Sequence, residues 1–159
     1  MMVNPIQFTF EEFQLFLLAW FRFTGVMLVG PIFGSQAVPT ILKALFSFIF
    51  AMIFFPLISR TGLSVTPNIA GYIVLVGLEL GVGLLIGFTA MLLFTAVQFA
   101  GQFIDQELGL AMANIIDPIT NEQISVIGQF KLFFAMIIYL LIDGHHFLLS
   151  ATAQSFASV

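Results

Sequence analysis

The sequence predicts an all-α, integral membrane-type protein built from helical hairpins. Three observations carry that expectation. First, 60% of the 159 residues are hydrophobic and 8% are charged, whereas a soluble domain is about 25% charged. With a mean hydropathy of +1.13, the chain has too little polar surface to cover a soluble globule, so lipid or partner subunits must cover much of it. Second, apolar runs close to the roughly 18–20 residues that cross a bilayer recur along the chain. Third, those runs are too long for strands and lack the period-two alternation of a membrane barrel. The same composition excludes other classes. There is no cysteine, hence no disulfide and no thiolate metal site. The four bases (Arg22, Lys43, Arg60 and Lys131) are far apart, so no basic patch exists for nucleic acid.

The elements follow in order. "MMVNPIQFTFEEF" places Glu11 and Glu12 where a signal peptide would carry positive charge, and is not expected to be a cleavable leader. The first apolar run is about 13–33, interrupted by Arg22. "GPIFGSQAVP" then breaks the chain: Pro31 ends or kinks the helix, and Gly34 and Pro39 complete a corner. The second run is about 41–58, closed by Pro56 and a Ser59–Gly62 turn. The third, about 69–99, contains Glu79. It exceeds one crossing by about ten residues, and reads as a tilted helix, a projecting helix or two segments. Gly77 and Gly81, and Gly83 and Gly87, sit four apart there. That spacing is either ordinary glycine use or close packing against another helix. A mixed segment at 101–123 follows, in which Asp117 and Pro118 mark a turn and "NEQISVIGQF" restarts a helix. The fourth run is about 124–142, with Lys131 inside, and the fifth about 144–159. Residues 1–159 are read as one helical membrane domain. Lys43 and Arg60 lie in successive loops and cancel as orientation signals.

Charges inside apolar runs need partners or water. A lone charge at mid-membrane costs at least about 2.5–3.5 kcal/mol on insertion scales. Glu79 is the natural partner of Arg22. Together they read as a structural ion pair in a bundle, as an ion or proton relay, or as groups at a subunit interface or lumen. Ser35 with His145 or His146 is not expected to form a nucleophilic dyad, because "FGSQ" lacks the glycine after Ser that a sharp nucleophile turn needs. "DGHHF" offers Asp143, His145 and His146. Adjacent helical residues point about 100° apart, so the expected role is a polar helix break with Asp143 as cap, and no metal is expected. No phosphate-cradling glycine loop is present. Energy for any transport is therefore expected to come from elsewhere, and no cofactor is expected.

Four stretches together resemble one family. "RFTGVMLVGPIFGSQAVP", "ELGVGLLIGFTAMLLFTAVQFAGQFI", "LGLAMANIIDP" and "VIGQFKLFFAMIIYLLIDGHHFLL" are similar, in order and spacing, to the FliR family of flagellar type III secretion export-gate proteins, whose injectisome counterparts are the SctT proteins. The resemblance implies a non-enzymatic helical gate that joins FliP-like and FliQ-like subunits and meets an FlhB-like protein. That assembly would form the entrance of a channel for unfolded exported polypeptides, in the bacterial inner membrane at the flagellar basal body. It also implies that hydropathy spans need not all cross lipid, and that this chain covers mainly a FliP-like part. Two departures stand out. Family members continue further, so a short form or N-terminal portion is expected. Asp105 and Glu107 stand where Gly and Gln are more usual, and Leu108 where Met often stands.

The resemblance assigns the 101–123 segment to a loop that helps plug the closed channel. Its residues suit that role. A deformable apolar constriction closes by dewetting, and Phe103, Leu108, Leu110, Met112, Ile115 and Ile116 would supply it, with Gly101 and Gly109 letting the backbone bend. The competing reading is an amphipathic helix on the membrane surface. Such helices usually carry bases, and "GQFIDQELGLAMANIIDP" carries none. A further alternative is part of a proton- or ion-coupled secondary transporter, with Arg22 and Glu79 as coupling pair.

Overall fold

The structure is a computed structural model, and it describes residues 10–35, 38–58, 68–108 and 125–156. Among these there are five helices and no strand: α1 (Phe10–Val29), α2 (Thr40–Ile58), α3 (Ile69–Glu107), α4 (Val126–Leu141) and α5 (Gly144–Gln154). The all-α class is the one the composition dictates. Helices α1, α2 and α3 are each long and apolar enough to cross a membrane, whereas α4 and α5 pass that test only as a pair.

Local chemistry sets the helix ends, and some differ from expectation. Glu11 and Glu12 sit in the first turn of α1, where negative charge complements the helix dipole. The helix ends at Val29 rather than near 33. Gly30 N–H still donates to Val26 O at 2.7 Å, but Pro31 has no N–H with which to continue the ladder. The corner then closes through Gly34 N–H, which donates to Gly30 O at 2.6 Å. A side chain on Gly34 would meet that same oxygen at 2.6 Å, so the corner requires glycine. Lys43 donates from Nζ to the Gly34 carbonyl at 3.2 Å, and Pro39 O accepts from Leu42 N and Lys43 N at the start of α2.

The third apolar run is a single helix. Its 39 residues span about 58 Å at 1.5 Å per residue, nearly twice the roughly 30 Å hydrocarbon layer. None of its glycines breaks it. It continues to Glu107, so 101–107 of the expected plug-like segment is helical. The fourth helix starts at Val126, later than "NEQIS" suggests, because Ser125 is its N-cap and accepts from Gly128 N.

The chain packs as two compact units: Met1–Phe88 with Leu148–Val159, and Thr89–Phe147. In the first, α1 and the corner after it pair with α2 through aromatic contacts that run antiparallel: Phe16 meets Phe55, Trp20 meets Phe48 and Phe33 meets Phe46. The core is Ala19, Phe23, Met27, Ala51, Ile58, Leu149 and Phe156. One polar knot lies in this interface, where Trp20 Nε1 donates to Ser47 Oγ at 3.1 Å and Thr24 Oγ1 stands 3.0 Å from the same oxygen. In the second unit, Phe94 and Tyr139 pack edge to face at 5.3 Å.

Candidate functional site

Two polar centres stand out against the apolar background, one in each unit. The first is built on Arg22. Its side chain is fully buried, at 0% exposure. Nε donates to Glu79 Oε2 on α3. Nη1 donates to Ser155 Oγ at 2.8 Å, and Ser155 passes its own hydrogen to Thr152 O at 2.7 Å. The guanidinium carbon lies 3.7 Å above the Phe156 ring, a cation–π contact strengthened by the exclusion of water. The base is thus neutralised by an acid, held by a hydroxyl and covered by an aromatic face.

Glycine makes this centre possible. A methyl group on Gly83 would lie 2.1 Å from Arg22 O, one on Gly25 would lie 2.6 Å from Leu80 O, and one on Gly87 would lie 3.0 Å from Val26 O. Helices α1 and α3 therefore touch backbone to backbone, which brings the Glu79 carboxylate within reach of Arg22. The other glycine pair behaves differently. Gly77 and Gly81 have nothing within 4 Å of an added methyl, and they line an open apolar groove with Val29, Leu78, Leu85 and Phe88. Spacing alone did not separate a filled seam from an open one.

The second centre sits where the 109–124 connection leaves α3 and re-enters α4. Asp105, 2% exposed, accepts at Oδ2 from the Ser125 hydroxyl and at Oδ1 from Ile127 N, 3.4 Å away. Ser125 Oγ in turn accepts from Gly128 N at 2.8 Å. Alongside, Gly101 and Gly128 meet so closely that a methyl on Gly101 would be 2.2 Å from Gly128 Cα. An acid at the N-terminus of α4 also complements its dipole. Asp105 thus holds the first turn of α4 against the last turns of α3. Gly101 lies inside a continuous helix, and its lack of a side chain serves close approach rather than bending.

Of the residues expected to form a plug, Phe103 and Leu108 are exposed. Gly109, Leu110, Met112, Ile115 and Ile116, and the turn residues Asp117 and Pro118, lie outside the described residues. Pro31, Gly34 and Pro39 lie at the corner between α1 and α2. Glu107, the last residue of α3, is exposed, and nothing among the described residues explains it. Sequence reasoning missed the roles of Asp105, Ser125, Gly25 and Gly128. A serine directly before an apolar helix was the available signal for the cap.

Residues 13–159 match the family model described as bacterial export proteins, family 1. The chain is 37% identical over 147 residues to flagellar biosynthetic protein FliR of Bacillus subtilis (strain 168), covering 92% of this chain and 56% of that protein. It is 27% identical over 143 residues to the protein of the same name from Pectobacterium carotovorum, covering 89% and 53%. It is 24% identical over 155 residues to that of Escherichia coli (strain K12), covering 95% and 59%. The chain therefore spans a little over half the length of these curated relatives.

Proposed function

Since this chain belongs to the family of bacterial export proteins, family 1, we propose that it is a membrane subunit of a flagellar-type export apparatus and helps form the closed entrance of its channel. The observation that carries this reading beyond the family name is α3. Only 6% of its most apolar stretch is buried within the protein, and it is about twice the length that lipid alone would cover. Such a helix needs protein neighbours along much of its length. FliP-like and FliQ-like subunits, with an FlhB-like protein nearby, are the proposed neighbours. The bacterial inner membrane at the flagellar basal body is the proposed place, and unfolded polypeptides are the proposed cargo. Phe103 and Leu108, with Leu110, Met112, Ile115 and Ile116, are the proposed apolar closure, which holds back ions by dewetting and deforms around a passing chain.

Nothing in this role requires chemistry by the chain, and the proposed protein is not an enzyme. Two experiments test it. Expressed with FliP- and FliQ-like proteins, the chain co-purifies with them in one particle of fixed stoichiometry; isolation as a monodisperse monomer in their presence refutes the assignment. Deleting 103–116 makes membranes that carry the assembly leak small ions, and unchanged permeability refutes the closure role. The transporter alternative needs a carboxylate free to load and unload. Glu79 is instead paired with Arg22 and 8% exposed, which favours a structural pair. Glu79→Gln then leaves no substrate-linked proton flux to lose, and a flux present in the parent chain and absent in the variant would restore that alternative.

A further inference from the structure

Three irregularities converge on residues 143–146 of the second unit. Among the described residues, Asp143 is the non-glycine residue with positive φ, at 55°, a conformation disfavoured for an L-residue. His145 Nδ1 is a buried side-chain nitrogen with no hydrogen-bond partner in the structure, and leaving a buried polar atom unmet is costly. Asp143, His145 and His146 each bring one ligand atom into a group whose members lie within 4.8 Å of one another. Left-handed backbone and unmet polar atoms gather where a site is held for something else.

We propose that Asp143, His145 and His146 form a site for a divalent transition-metal ion of the Zn²⁺ type. Two imidazoles and one carboxylate are the donor set such ions prefer when thiolate is absent. The three donors leave a coordination position open to water. The local geometry supports the choice. His146 Nδ1 and Asp143 Oδ1 are 3.8 Å apart, too far for a hydrogen bond. Ligands around a tetrahedral ion at about 2.0–2.1 Å stand about 3.3 Å from each other, so a small closure brings these two exposed donors to that spacing. Asp143 and His146 are largely exposed, at 73% and 72%, so an ion enters without opening the fold. His145 and His146 are neighbours on α5 and leave its axis in different directions, yet their rings lie 4.3 Å apart, centroid to centroid. Here Asp143 precedes the helix in a left-handed turn, and Gly144, its neighbour, seats directly against the Tyr139 ring. A bound ion ties the helix break to the first turn of α5.

The test uses the whole chain purified in detergent micelles and titrated with ZnCl₂, with MgCl₂ as control, by calorimetry and by competition with a chromophoric chelator. One Zn²⁺ binds per chain, Mg²⁺ does not, and Zn²⁺ slows amide exchange at 144–147. His146→Ala and Asp143→Asn each weaken Zn²⁺ binding at least about tenfold with helical content unchanged; asparagine also tolerates the left-handed backbone. Absence of saturable Zn²⁺ binding overturns the site. So does equal affinity in His146→Ala, and retention in Asp143→Asn overturns the three-ligand assignment.

Discussion

A methyl group on Gly83 would meet the Arg22 carbonyl at 2.1 Å, whereas one on Gly81 would meet nothing within 4 Å. Two glycines two residues apart should therefore respond in opposite ways to one substitution. Gly83→Ala forces backbone from backbone and lowers stability by about 2–3 kcal/mol. Gly81→Ala leaves the isolated chain unchanged or more stable by up to about 1 kcal/mol, since helix entropy favours alanine. Thermal unfolding of both variants in one detergent checks this. Arg22 and Glu79 give a second prediction at this scale. Removing one partner strands a buried charge, and Arg22→Met costs about 3–5 kcal/mol. The paired change with Glu79→Leu costs much less than the sum of the single changes, so a double-mutant cycle returns a large coupling. The exposed Asp143–His146 contact at 3.8 Å contributes little by the same logic.

At the scale of elements, α3 and α4 are joined by a carboxylate as well as by apolar packing. Asp105→Ala removes the acceptor for Ser125 Oγ and Ile127 N and leaves the buried Ser125 hydroxyl without it, at about 1–3 kcal/mol. Hydrogen exchange should then rise in the first turn of α4 and stay unchanged in α1 and α2. Exchange rising evenly throughout would mean that Asp105 holds no particular joint. The helices themselves were legible in the sequence because long apolar runs have one cheap conformation in lipid. The corner at Pro31 and Gly34 was legible because proline and glycine act locally. The Arg22–Glu79 pair was legible by scarcity: a base and an acid in apolar runs have few other partners. What stayed hidden depends on which faces meet. The Gly83 seam and the Gly81 groove share composition and spacing, and only the rotation of α3 against α1 separates them. Asp105 looked unexplained because its partner, Ser125, lies 20 residues away.

At the scale of the whole molecule, every helix exposes large apolar side chains. Ile41, Leu45, Ile49 and Ile53 form a stripe at every fourth residue of α2, and Ile73, Leu78, Leu85, Met91, Leu92, Phe99 and Phe103 are exposed on α3. Lipid covers a surface of this kind only over the bilayer thickness, so the chain alone should self-associate in detergent and lose that tendency once its proposed neighbours are present. Sedimentation with and without them measures this. The buried ion pair has a further consequence, for synthesis. Arg22 leaves the ribosome 57 residues ahead of Glu79. At about 5–20 residues per second, the arginine waits roughly 3–11 seconds for its counter-charge. Throughout that interval the first helix carries an unneutralised cation and is held in lipid more weakly than after pairing. It stays beside the insertion machinery until the third helix emerges. A nascent chain halted before Glu79 is made should therefore release its first helix to alkaline extraction, and the completed chain should hold it.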